Sequence, residues 1–442
     1  MIQNIAVPTR LVALLLWSVL LLAGCGEGDG SHSDGGFTER TENGVVIAEN
    51  ATLDAARPLE WEIDTANVVR IGVVDGAEEY VIGRLAGILR RPDGTILLAD
   101  GLARELRLFD TDGTFIRRIG GSGEGPGEYT SIDGLAPLRG DSVAVLGGFQ
   151  VTILDPELRY VRRFLTRLTE TQATPPFSSD ILVSLTPDGQ PIMEDYLPRC
   201  ETGTGLVCSD SLAFFVTDQE GEPVTRFGRF PYNRAVSNEV LPGMSTSFRE
   251  PHPQPMWTFH EGHLYFADAL RFEVRIHGED GTEARVIRVP GTAPRYPLDQ
   301  VFPPITSETA AGHPEGEAIR RAMRSARSEA ALPDSFPHFS DLLVDEEGHI
   351  WAREYVPPVS IDEGETPRWF VFDPDGRLLG YLATPEGLLR TFSPVGTPVT
   401  PRIGADYILG FVRDDLGVES VVLYPLRRSG DERDHRARGR PP

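Results

Sequence analysis

The sequence predicts an all-β fold: a six-bladed β-propeller of four-stranded antiparallel blades, carrying a short helical insertion. Three observations carry this expectation. First, the chain repeats itself, because residues 94–113 and 262–281 agree without a gap: Gly94, Ala99, Asp100, Leu102, Glu105, Arg107, Asp112 and Gly113 recur as Gly262, Ala267, Asp268, Leu270, Glu273, Arg275, Asp280 and Gly281. Second, each copy reads as an apolar strand, a polar link, an alternating strand, an Asp-Gly turn and a further strand. Asp-Gly favours the positive φ of tight hairpins, so the unit is an antiparallel meander. Third, 46 Gly and 36 Pro punctuate a chain that is 8% aromatic and 24% charged, a composition suited to many short strands and turns rather than a coiled coil or helical bundle. At 442 residues the chain is long enough to bury a large core.

The elements follow in order. Residues 1–24 read as a secretory signal: Arg10 supplies the positive region, and the apolar run Leu11 to Leu22 is too short to span a bilayer comfortably. The run ends in Leu22-Ala23-Gly24-Cys25, which resembles the lipobox of bacterial lipoproteins. That resemblance implies a lipid attached at Cys25 and a protein held on a membrane surface, since two or more acyl chains anchor stably. Gly26 rather than Asp follows the cysteine, which favours the outer membrane if the cell has one. Residues 25–58 are expected to be a flexible tether, on the strength of the Gly- and Ser-rich stretch after Cys25. With Cys25 lipidated, Cys200 and Cys208 remain as an even pair flanking a polar, Gly-containing loop. A local disulfide is expected in an oxidising compartment, the alternative being two free thiols.

The propeller domain is placed at 59–426. Besides the two strong copies, weaker ones follow the same grammar over Ile132 to Phe164, Ile181 to Phe227 and Leu342 to Leu382. The last unit, Tyr407 to Leu423, lacks an outer strand, which Glu60 to Val74 would supply. Such closure leaves no long exposed edge. The domain resembles the NHL-repeat and related six-bladed propellers of exported bacterial proteins, most recognisably from Arg91-Pro92-Asp93-Gly94 through Tyr129. Two insertions interrupt it. Residues 228–254 read as a Pro-rich loop, and Glu315 to Ala330 spaces Ile319, Ala322, Met323 and Ala326 as one face of a short helix. Residues 427–442 read as a disordered basic tail.

A formal charge of −24 disfavours nucleic acid as a partner, because phosphate binding needs a clustered basic face. Asp100 and Asp268 fall at equivalent strand ends, with Glu354 as a third equivalent. They are candidate loop contacts for a ligand, set against a structural use as acceptors of backbone N–H groups. The Gly-rich run from Gly120 to Glu128 lacks Gly-Lys-Ser/Thr and reads as a link between blades. His263 and His349 share one turn position and are expected to be solvated rather than metal ligands. No catalytic motif is legible and no cofactor is expected. The leading expectation is therefore a non-enzymatic binding module, tethered outside the cytoplasm, that takes a protein, peptide or glycan through loops on one face. The alternative, implied by the resemblance, is a lactonase- or esterase-like hydrolase, or a lyase, with a divalent cation such as Ca²⁺ in the central channel.

Overall fold

The computed structural model describes residues 32–428 apart from 35, 167–179, 203–205, 219, 242–243, 250–254, 269–270, 292–304, 308–310, 313–314, 330–337, 358–365, 386–387, 389–398, 400 and 415–416. The signal, Cys25 and the tail beyond Arg428 therefore lie outside the described residues. Among the described residues no helix is long and apolar enough to cross a membrane.

Strand β1 (His32–Asp34) pairs with β2 (Phe37–Glu42), which turns into β3 (Val45–Glu49). Two short strands follow, β4 (Glu62–Ile63) and β5 (Val69–Ile71). Blade 1 is β6 (Leu85–Arg90), β7 (Ile96–Asp100), β8 (Glu105–Phe109) and β9 (Phe115–Ile119). Blade 2 is β10 (Gly134–Pro137), β11 (Val143–Gly147), β12 (Gln150–Leu154) and β13 (Tyr160–Leu165). Blade 3 is β14 (Asp180–Leu185), β15 (Pro191–Thr202), β16 (Leu206–Thr217) and β17 (Pro223–Leu241), with β18 (Met244–Arg249) added at its edge. Blade 4 is β19 (Met256–His260), β20 (His263–Asp268), β21 (Glu273–His277) and β22 (Glu283–Arg288). After helix α1 (Gly316–Glu329) comes blade 5: β23 (Phe339–Val344), β24 (Ile350–Glu354), β25 (Arg368–Phe372) and β26 (Leu378–Ala383). Blade 6 is β27 (Arg402–Ile403), β28 (Tyr407–Arg413) and β29 (Glu419–Arg427), completed by β4 and β5 pairing with β29.

The ring closes because strand alternation gives every blade two apolar faces. In β7, Ile96 and Leu98 pack towards blade 6 while Leu97 and Ala99 pack towards blade 2. Repeated round the circle, this makes a separate apolar cluster at each of the six blade junctions, among them Phe339, Phe370 and Phe372 between blades 4 and 5. The fold is the expected six-bladed propeller, and β5 supplies the outer strand that the last blade lacks.

Three expectations need correction. The tether does not extend to 58. Asn43 and Gly44 take positive φ of 52° and 85° and turn a hairpin whose strand β3 adds in parallel to β22. Phe37 and Ala48 enter the apolar cluster between blades 4 and 5. Residues beyond the hairpin run as a belt along the rim. The buried Asn50 amide donates to Gly376 O at 2.8 Å and to Arg288 O at 3.3 Å, and its carbonyl accepts Leu378 N–H at 2.7 Å, joining blades 4 and 5. Arg57 and Leu59 then bond Tyr381 on blade 5 before β4 and β5 reach blade 6. Second, the expected loop at 228–254 is largely strand: β17 continues to Leu241 and β18 folds back on it, Pro231 being accommodated at a register shift. Third, the domain does not stop at 426, since Arg427 ends β29 and Arg428 is buried against blade 5.

The helix forms as expected. In blade 3 the backbone register sets Cys200 across from Cys208; their side chains lie outside the described residues.

Candidate functional site

The inner strands β6, β10, β14, β19, β23 and β27 surround a central channel. It opens where their hairpin turns to the second strands converge, and there it widens into a cavity of about 1030 Å³. Leu135, Leu343 and Val344 contribute apolar wall; Arg90, His260, Glu346, Arg402, Asp406 and Tyr407 are among the polar groups, and the acids Asp93, Asp141, Glu261 and Glu279 also line it.

Arg402 stands on the short inner strand of blade 6, yet its Nη2 donates to Leu135 O of blade 2 at 3.5 Å. The guanidinium thus crosses past blade 1. Burial pulls its pKa down, and the nearby Tyr407 and Glu346 offset this only in part. The two acids closest to this end are already engaged. Glu346 accepts the Tyr407 hydroxyl at 2.5 Å, and Asp406 pairs with Arg90 at 2.7 Å. Burial first, and then the Glu346 bond, push the Tyr407 hydroxyl well above its usual range, so it stays a donor. The Arg90 guanidinium also lies over the Tyr407 ring at 4.5 Å, and its Nε is buried without a partner. Across the channel, burial lowers the pKa of His260, keeping its imidazole neutral at pH 7. Among the described residues no group of three or more His, Cys, Asp or Glu is placed to hold a metal ion.

Among the described side chains, neither Asp100 nor Glu354 lines this cavity. The three candidate acids sit at the far ends of second strands on blades 1, 4 and 5, one strand length from the mouth. Asp100 is fully buried, and its two oxygens accept the N–H groups of Gly83, Arg84, Leu102 and Ala103 together with Nη2 of Arg107. A carboxylate so enclosed reaches no ligand, which corrects the loop-contact expectation for this residue in favour of its structural use. Glu354 pairs with Arg368 through Nε at 2.8 Å and Nη2 at 2.5 Å. Asp268 ends β20, and its side chain lies outside the described residues. His349 is a structural residue as well, its ring edge-on to Trp61 at 5.6 Å and 3.2 Å from Asp345.

A fourth member of the acid series was overlooked. Gly94, Gly189, Gly262 and Gly348 all take positive φ near the mouth, and the sixth residue after each is Asp100, Asp195, Asp268 or Glu354. The hairpin glycine and a five-residue strand fix that interval. Beside Asp195 stands Glu194, whose carboxyl is pushed from an ordinary 4.5 to about 7, by burial first and by the Asp195 charge second. Its proton is held more tightly in the folded chain than in the unfolded one. The stability this contributes is complete below about pH 4.5 and is lost as pH rises through about 7. Glu194→Gln is accordingly expected to exceed the wild type in stability by about 3 kcal/mol above pH 8 and to match it near pH 4. Urea midpoints at the two pH values measure this, and a wild type with no alkaline loss contradicts it.

The channel residues themselves were largely missed from sequence. Blade 6 was read from Tyr407 onward, which skipped the two-residue inner strand that carries Arg402. The available signal was a count: five blades each begin with an inner strand, so the sixth requires one before Tyr407.

The family described as DUF5128, 6-bladed beta-propeller, matches residues 76–158, which cover blade 1 and blade 2 as far as β12. No curated protein matches the chain. Among solved structures the chain is similar to a putative exported protein from Bacteroides fragilis, at 13% identity over 87% of this chain and 99% of that one, with a TM-score of 0.43. It is also similar to a member of the DUF4221 family from Bacteroides vulgatus, at 10% identity over 84% and 100%, with a TM-score of 0.43. Virginiamycin B lyase from Staphylococcus aureus overlaps it at 9% identity over 83% and 99%, with a TM-score of 0.36. At such identities no activity passes from these structures to this chain.

Proposed function

We propose that this chain is a lipid-anchored, extracytoplasmic binding protein whose propeller takes a protein, peptide or glycan at the channel mouth. The observation that carries the reading is the cavity of about 1030 Å³, open where the inner hairpin turns converge and lined by the half-buried Arg402 guanidinium. Concave sites in which polar groups converge beside apolar wall are where proteins bind ligands. The anchor rests on the Leu22-Ala23-Gly24-Cys25 motif, and an oxidising compartment would also allow a Cys200–Cys208 bond.

The test uses the full chain in its native envelope. A photo-crosslinking residue at Arg139, on the rim of the mouth, is expected to form a discrete adduct, whereas one at Tyr160, on the outer strand of blade 2, is not. Ser184→Trp fills the channel wall and is expected to remove the adduct. Fatty-acid labelling that disappears in Cys25→Ser checks the anchor. An absent adduct at Arg139, or one unchanged by Ser184→Trp, would overturn the binding reading.

A further inference from the structure

We propose that Arg402 is the anchor of a carboxylate-binding subsite inside the channel, and that the ligand group inserted there is a single carboxylate on an otherwise uncharged body. The inference deepens the binding reading above and rests on it.

The argument is one of charge and shape. Among the described residues no carboxylate lies within ion-pair distance of Arg402; its one hydrogen bond is the long contact to Leu135 O. Glu346 and Asp406, the acids that would neutralise it, are held by Tyr407 and Arg90. A half-buried guanidinium with no carboxylate at ion-pair distance keeps unused attraction for an anion, which an incoming carboxylate recovers. The planar fork of donors suits a carboxylate in bidentate geometry. Among the described arginines that line the cavity, Arg90, Arg91 and Arg139 have carboxylate partners and Arg402 has none, which matches a single negative charge, whereas inorganic phosphate brings a larger charge into a cavity already lined by Glu346, Glu261 and Asp141. The neighbouring Leu135, Leu343 and Val344 offer apolar contact to the body that follows the carboxylate. His260, kept neutral by burial, adds no second positive charge on the far wall.

Titration calorimetry on the full-length protein in detergent tests this with benzoate, benzamide and inorganic phosphate as probes. Benzoate is expected to bind at one site at least ten-fold more tightly than benzamide or phosphate. Arg402→Met is expected to lose at least ten-fold in benzoate affinity, and Arg402→Lys to recover part of it. Equal binding of benzamide, tighter binding of phosphate, no benzoate binding at millimolar concentration, or full benzoate affinity in Arg402→Met would each overturn the proposal. If Arg402→Met fails to fold, the three probes on the wild type still decide it. An Arg139 adduct without any carboxylate preference would remove this subsite while leaving the mouth as a binding face. Benzoate binding that survives Ser184→Trp would instead count against the channel as the site.

Discussion

Asp345→Ala is expected to lower the folding free energy by about 3–5 kcal/mol, because it removes the one fully enclosed carboxylate that pairs with Arg428, leaving only the half-exposed Glu347, and orphans the buried donors that Asp345 accepts. The Asp345 side chain is fully enclosed. It accepts Trp351 Nε1–H at 3.0 Å, the backbone N–H of Glu347 and His349 at 3.0 and 2.8 Å, and Arg428 Nη2 at 2.9 Å. Arg428 also pairs through Nη1 with Glu347, donates to Gly404 O at 2.8 Å and stacks over Trp61 at 4.6 Å. The end of the last blade is thereby riveted to a turn of blade 5 and to the belt. Urea unfolding measures the loss, and a midpoint within about 0.5 kcal/mol of wild type would refute it. The double variant Asp345→Ala/Arg428→Met is expected to recover part of the loss, since no arginine is then left largely buried with only the half-exposed Glu347 as its counter-charge. There is an acid counterpart. Burial raises the Asp345 pKa, but the His349 and Trp351 hydrogen bonds and the Arg428 charge outweigh it and hold the group below its ordinary 3.8. The pair's stability is therefore present above that value and drains away as pH falls through the lower folded one.

The second large effect is expected at Asp100. Replacing it with Ala leaves four backbone N–H groups and Arg107 without their acceptor in a place water does not reach, at a cost of about 3–5 kcal/mol. Glu354→Gln, at the equivalent position of blade 5, is expected to cost under about 1 kcal/mol, because the Glu354–Arg368 pair is partly solvated. Thermal or urea unfolding of the two variants side by side gives the comparison. A ligand contact at Asp100 would invert the pattern, with binding lost and stability kept. Equal costs at the two positions would show that the repeat, and not the local enclosure, sets the energy.

That contrast marks how far sequence reading reached. The repeat located Asp100, Asp268 and Glu354 because a hairpin glycine and a short strand impose a fixed interval, and an interval is visible along the chain. It did not show that one acid is sealed in and another half open, since exposure depends on what the adjoining loop does. The belt was overlooked although Asn43-Gly44 between β-branched residues is a strong hairpin signal; the polar residues before it favoured a tether. Pro231 and its neighbours were read as loop because a register shift that tolerates proline is a property of the paired strand.

By itself, the sequence determined the meander, the number of blades and the closing of the last blade by an early strand, all consequences of period-two alternation and turn chemistry within short windows. Tertiary structure alone decided the rest. Asn50 meets Leu378 across 328 residues, and Arg428 meets Asp345 across 83. Arg402 reaches Leu135 across 267 residues, past the inner strand of blade 1. No local pattern encodes such pairs, because closing the circle is what brings them within hydrogen-bonding distance of each other, and it is the same closure that half-buries Arg402 in the channel wall.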